Sequence, residues 1–500
     1  MAKVFKISHE AASPAYEEIR YYEAIATAND FLIEWVPIAP GDNGLSQLSS
    51  GESDGVLLTG REDYQVLKDK GLQTIISSRG DRRLVAIFAS SFELQKTKTE
   101  GSTNNIGPEK AKDFGAYPPA ESVAVSLRLA VDFDWQFRLI ANFLVKALPR
   151  IQAGYRFQSS DPESNFDQRL QALLEGKLDV AIFPLAELNA SAGKVSGLKY
   201  MILPLFECPP NIYQGVTGIV MKDNDSHLSA TLLKLVETPL SDCVKREAAV
   251  LDMNRGYSFG VFRMQDFPAP FTYFARPADS SLLESWDMDS DLADDKLIFS
   301  TTDFMKDFFR YRYLPDEEES DQMPTDEVLF IASHKALHQE ALITHASNSR
   351  VWVAGTRTWF ELAKKGIWVE GGADGLGLET LLECWGEKFI NISKEVVNII
   401  TNIDSAAHWR QDGWKASGTY QLVPSLTDAI TEGLKQAEIV FWTSFQQYQA
   451  CKSYLKPGVI HASPAGKTAT LLRNEGINNL VVFPSIKAFN WWRSRTLTEL

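Results

Sequence analysis

Val328-Leu329-Phe330-Ile331-Ala332-Ser333 and Ile439-Val440-Phe441-Trp442-Thr443-Ser444 are two apolar runs that each end on a hydroxyl. A turn follows each, Gly355-Thr356-Arg357-Thr358 in the first copy and Gly466-Lys467-Thr468-Ala469 in the second, so that each hydroxyl is followed by a threonine about 25 residues later. Short apolar runs bounded by turn residues read as buried strands, and the glycine-threonine turns that follow read as helix starts. Gly366-Ile367 and Gly476-Ile477 return each copy toward another strand. The echo predicts two similar α/β lobes with a cleft between them. Hydroxyls and unpaired amides at helix starts attract carboxylates, and they also serve as plain caps. The string Ala465-Gly466-Lys467-Thr468 lacks a phosphate loop's first glycine, whose place falls on His461.

Upstream, Phe31-Leu32-Ile33-Glu34-Trp35-Val36, Gly55-Val56-Leu57-Leu58 and Leu84-Val85-Ala86-Ile87-Phe88 read as strands. Residues 135–148 and 166–174 have helical periodicity. The turn Glu175-Gly176-Lys177 leads into Asp179-Val180-Ala181-Ile182-Phe183, a buried-strand signal, so this half is α/β as well. Between residues 279 and 295 there are seven acidic residues and no lysine or arginine, which reads as a linker and sets the main boundary near 290. The second acidic run, Asp316-Glu317-Glu318-Glu319-Ser320-Asp321, reads as a loop within a domain.

The 500 residues, 44% hydrophobic and 23% charged, are those of a globular chain of about three domains. A net charge of −15 argues against a polyphosphate partner. Cys208, Cys243, Cys384 and Cys451 are dispersed, which predicts free thiols and no local metal motif. His334 and His338 sit at helical spacing but lack the glutamate of a zinc-protease helix, so they read as a surface pair. No apolar run reaches the roughly 18 residues of a membrane span, and Met1-Ala2-Lys3-Val4-Phe5-Lys6 has no secretory pattern. The expected location is cytoplasmic.

Residues 295–500 resemble uroporphyrinogen-III synthase through Ala332-Ser333, Thr443-Ser444, Gly355-Thr356-Arg357-Thr358, Lys467-Thr468-Ala469 and the pair Thr419-Tyr420. The resemblance implies cyclisation of hydroxymethylbilane with inversion of its terminal ring, largely by orienting a polycarboxylate. Tyr420 matches the family's functional tyrosine and would steady the departing hydroxyl. Thr358 and Thr468 would receive substrate carboxylates, with Ser333, Thr443 and Ser444 as further binding candidates.

Residues 1–290 resemble hydroxymethylbilane synthase (porphobilinogen deaminase). The resemblance rests on Gln168-Arg169-Leu170, on Leu173-Leu174-Glu175-Gly176-Lys177-Leu178-Asp179-Val180-Ala181, and on Leu203-Pro204, Pro209-Pro210 and Gln214-Gly215. It implies two lobes like those of periplasmic binding proteins plus a small α+β third domain. The family's cofactor-bearing cysteine has no counterpart in Met253-Asn254-Arg255-Gly256-Tyr257-Ser258-Phe259-Gly260, so no dipyrromethane link forms there and no cofactor is expected. Where the family carries its catalytic aspartate this chain has Arg61-Glu62, with Asp63 one register away, the remnant of a degenerate site. Of the family's paired arginines, Ser126-Leu127-Arg128-Leu129 or Gln136-Phe137-Arg138 keeps one.

The sequence therefore predicts deaminase-like domains over 1–90 with 198–222, 91–197 and 223–278, a linker over 279–295, and a two-lobed synthase-like region over 296–500. The resemblances imply a lyase of tetrapyrrole, porphyrin and heme biosynthesis, a monomer or weak homo-oligomer whose partner is hydroxymethylbilane or a related polycarboxylate. A non-catalytic tetrapyrrole-binding or scaffold protein and a bifunctional enzyme are the alternatives.

Overall fold

The computed structural model describes residues 3–10, 31–39, 44–59, 70–79, 81–92, 125–131, 134–149, 155–159, 166–189, 191–210, 214–223, 258–262, 271–276, 281–285, 296–304, 307–314, 328–375, 377–483 and 485–498, with positions 23, 26, 230 and 232. Five sheets are formed among them. The first runs Phe31–Ile38, Lys3–Glu10, Gly55–Thr59, Val216–Lys222, Leu72–Arg79. The second runs Tyr155–Ser159, Val125–Ala130, Val180–Pro184, Leu84–Phe88, Tyr200–Ile202. The chain passes between these two sheets twice, through residues 80–83 and 203–215. That double crossing makes a two-lobed α/β unit. A small antiparallel sheet of Ser258–Phe262, Phe271–Arg276 and Ser281–Ser285 follows.

The downstream echo folds as two parallel-strand lobes. The larger sheet runs Phe309–Tyr313, Lys415–Pro424, Val397–Asn402, Val328–Ile331, Arg350–Val353, Gly371–Gly372, and the smaller Ile298–Ser300, Ile439–Phe441, Ile460–Pro464, Leu480–Phe483. The first and second copies of the repeat thus seed separate sheets. Val328–Ile331 and Ile439–Phe441 are buried throughout, as helix-covered parallel strands must be.

The second and fourth sheets meet edge to edge. The amide of Ile202 donates to the carbonyl of Glu370 at 2.6 Å, and Trp368 Nε1 donates to the carbonyl of Tyr200 at 3.1 Å. The Glu370 carboxylate accepts from Tyr200 Oη (2.8 Å), Arg350 Nε (3.0 Å) and Trp352 Nε1 (3.1 Å). Side chains alternate along strands, so two core layers form, and each crosses the join. Leu84, Ala86 and Phe88 share a layer with Leu329 and Ile331; Val85 and Ile87 share the other with Val328 and Phe330. Trp359 is fully buried against Phe143 and donates to the carbonyl of Ala147 at 3.3 Å.

Several expectations change. Part of the acidic stretch at 279–295 forms the strand Ser281–Ser285, because Leu282 and Leu283 pair with Ala275 and Phe274. His334 and His338 are not a surface pair: both are half-buried, His334 in the turn His334–Ala336 and His338 with both ring nitrogens buried. Cys208, Cys384 and Cys451 are buried free thiols. Cys243 and the acidic run 316–321 lie outside the described residues.

Candidate functional site

The strands Phe309–Tyr313 and Lys415–Pro424 pair antiparallel and lead to the smaller lobe, so they form the floor between the two downstream lobes. Gly418 is required there: a Cβ would stand 2.7 Å from Ile403 Cα, and only its absence lets strand and helix Ile403–Gln411 close up. That approach places Tyr420, 4% exposed, beside Ser333 at the end of Val328–Ile331 and Asn402 at the end of Val397–Asn402. Burial pushes the Tyr420 hydroxyl up to about 12, against hydrogen bonds from Ser333 and Asn402 that favour its anion. The hydroxyl stays protonated at neutral pH and is a donor.

Rings and one cation surround it. Tyr311 and Tyr313 lie 5.7 and 6.4 Å from Tyr420, and Lys335 Nζ sits 3.4 Å from the Tyr311 ring centroid. His338 stacks on Tyr313 at 4.3 Å, with both ring nitrogens buried and unbonded. Burial lowers the pKa of neighbouring His334, which favours its neutral form.

The opposite lobe touches helix Ile403–Gln411, which packs on this floor. Asn402 caps its helix by accepting from the Ser405 amide at 2.9 Å, and Gln446 Nε2 crosses from the other lobe to Ser405 Oγ at 2.6 Å. Lys467 ion-pairs with Asp412 and lies 4.6 Å from the Trp409 ring. Gly466, with φ 95, permits the tight start of helix Lys467–Asn474.

Of the sequence candidates, Tyr420 and Ser333 come together. Thr443 and Ser444 lie on the facing lobe, engaged in a capping box: Thr443 Oγ1 donates to Gln447 Oε1 at 2.6 Å and Ser444 Oγ accepts from the Gln447 amide at 3.4 Å. Thr358 is buried in the first turn of its helix, and Thr468 is half-buried in the first turn of its own; Gly355 and Gly466 are the N-caps. Buried His461, bonded by Trp442 Nε1 at 3.0 Å, fills the phosphate-loop position. Arg61, Glu62 and Asp63 lie outside the described residues. Arg128, a candidate for the anion cradle, is bound to Asp179 through Nε (2.9 Å) and to the carbonyl of Gly176 (2.8 Å).

Sequence reasoning missed Asn402, Lys335, Tyr311, Tyr313 and Gln446. Asn402 was detectable as a cap signal after an apolar run, and Tyr311 with Tyr313 as period-two alternation. Elsewhere, an open depression of about 670 Å³ over helix Phe166–Leu174 is lined by Asp167, Gln171, Glu175, Lys177 and Lys194. Glu175 there pairs with Gln171 and Lys177, as solvated charges do. Among the described residues no cluster of three or more His, Cys, Asp or Glu suits a metal ion, and no helix is long and apolar enough to cross a membrane.

No family model and no curated protein matches the chain. Solved structures similar to part of it include a putative lipoprotein from Ruminococcus gnavus, 12% identical, covering 47% of this chain and 91% of that one, with a TM-score of 0.30. A periplasmic substrate-binding protein of an ABC transporter from Coxiella burnetii is 11% identical, covering 48% and 96%, with a TM-score of 0.28. A nutrient-binding protein from Burkholderia cenocepacia bound to methionine is 12% identical, covering 50% and 97%, with a TM-score of 0.29.

Three expectations are corrected here. The synthase activity is withdrawn, since no family model and no curated protein supports it. Tetrapyrrole, porphyrin and heme biosynthesis and lyase chemistry find no matching family or curated protein. The cytoplasmic assignment is withdrawn as well, since no matching family model or curated protein supports it.

Proposed function

We propose that the chain is a non-catalytic binding protein whose two downstream lobes close on a small polycarboxylate. The reading is carried by one observation: Tyr420, Ser333 and Asn402 converge on the floor beside Lys335, while Gln446 of the facing lobe reaches Ser405, three residues past Asn402. A protonated phenol and an ammonium donate to carboxylates, and the Tyr311 and Tyr313 rings supply flat apolar contact. Such a combination of an apolar wall with a few placed donors is what small-molecule sites use. The contact of Gln446 with Ser405 belongs to the closed form.

Calorimetric titration with benzene-1,3,5-tricarboxylate, against its neutral triamide, tests this. The tricarboxylate should bind, with Lys335→Met and Tyr420→Phe each weakening it about tenfold, the loss of one hydrogen bond to a charged group. Equal heats from the triamide, or undiminished binding in both variants, would refute the proposal.

A further inference from the structure

Asp374 follows the edge strand Gly371–Gly372 and holds φ 55, a left-handed conformation unusual for a residue with a side chain. By sequence it belongs to the downstream half, yet it faces the upstream one. Its carboxylate lies by the backbone amides of Leu205 and Phe206 and near the Arg83 guanidinium. Leu205 and Phe206 belong to the connection 203–215 and Arg83 to the connection 80–83, the two crossings between the first and second sheets. One side chain from the downstream half therefore abuts both upstream crossings.

The charges around it do not balance once it ionises. Arg83 is already ion-paired with Asp81 and donates through Nη2 to the carbonyl of Thr380 at 3.1 Å. Glu207 and Cys208 face Asp374 from the 203–208 segment; Asp81 and Cys384 complete the charged and titratable groups around Arg83. Burial raises both thiols, so they stay neutral. An anionic Asp374 is thus a surplus negative charge beside Asp81 and Glu207. Both of its oxygens are buried, and neither completes a hydrogen bond of ordinary geometry. A buried carboxylate in that position draws water when charged and rests dry when neutral.

The geometry points to a proton-controlled catch: Asp374 holds the upstream crossings against the downstream half while neutral, and frees them when it ionises. Desolvation pushes its pKa up to about 7, opposed by Arg83 and the two amides, so the change falls near neutral pH. The sign follows from linkage. The closed join binds the proton more tightly than a hydrated, opened one, so protonation favours closure and rising pH favours opening. The edge-to-edge pairing at Ile202 and Glu370 keeps the second and fourth sheets together, so the freed motion is that of the first sheet's lobe.

Hydrogen exchange of the full chain at pH 6 and pH 8, corrected for intrinsic rates, reads the catch directly. Segment 203–208 should lose at least threefold in protection at pH 8, and Asp374→Asn, which stays neutral, should keep the pH 6 protection at both values. Should the variant rearrange, carbon-13 titration of the wild-type Asp374 carboxyl gives an independent readout, with a midpoint near 7 expected. Equal wild-type protection at both pH values, a pH step that persists in a folded Asp374→Asn protein, or a carboxyl midpoint near 4 would overturn the inference.

Discussion

Glu370 is the side chain on which the join between the two halves turns, and removing it gives the sharpest stability prediction. Its side chain is 12% exposed and accepts from Arg350, Tyr200 and Trp352. In Glu370→Ala the Trp352 N–H is orphaned in the core, at about 1–3 kcal/mol. Arg350 loses its counter-ion too, but its side chain is 40% exposed and water takes up much of that loss. The total should be about 3 kcal/mol. Glu370→Gln keeps an acceptor and should cost about 1 kcal/mol. Urea unfolding followed by tryptophan fluorescence, with exchange protection read at 200–202 and 351–353, measures both. Because the core layers cross the join, protection should fall together in the two segments. A loss under about 0.5 kcal/mol, or a drop at 351–353 alone, would refute the shared-core argument.

Three further outcomes are expected. Trp359→Ala, which empties the space between Phe143 and Ala147, should cost about 3–5 kcal/mol in the same unfolding assay. Asp374 has its folded pKa raised from 3.8 to about 7, so its stabilising effect is full below pH 3.8 and is lost as pH rises through 7; at 1.36 kcal/mol per tenfold change this reaches about 4 kcal/mol, and Asp374→Asn should flatten the urea midpoint between pH 5 and 8. Gly418→Ala places a methyl against Ile403 and should cost about 1–3 kcal/mol while weakening tricarboxylate binding, seen by thermal melting and calorimetry.

Local signals were legible where a single element settles its own structure. Leu84–Phe88 and Phe166–Leu174 form the elements their periodicity indicates. The repeated hydroxyl-ended strands did seed two lobes, and Ser333 and Tyr420 met on the floor between them. The join between halves was not legible, because Ile202 and Glu370 pair across 168 positions and neither edge strand carries a distinguishing pattern. Glu370 carries no local signal of its role; tertiary packing alone surrounds it with Tyr200, Trp352 and Arg350. His338 misled for a related reason: it reads as one of a surface pair with His334, but stacking on Tyr313 buries both of its ring nitrogens. Asp374 carries no local signal of burial, because the Leu205 and Phe206 amides beside it come from a distant segment.

The central claim is that the two downstream lobes bind a polycarboxylate on the floor around Tyr420. The most direct measurement is hydrogen exchange of the full chain with and without saturating benzene-1,3,5-tricarboxylate. Protection should rise at 333–338, 402–405 and 418–420 on the floor and at 443–447 on the facing lobe, with the ligand recovered unchanged. Unaltered exchange in all four segments, or protection confined to a surface elsewhere, would contradict the account.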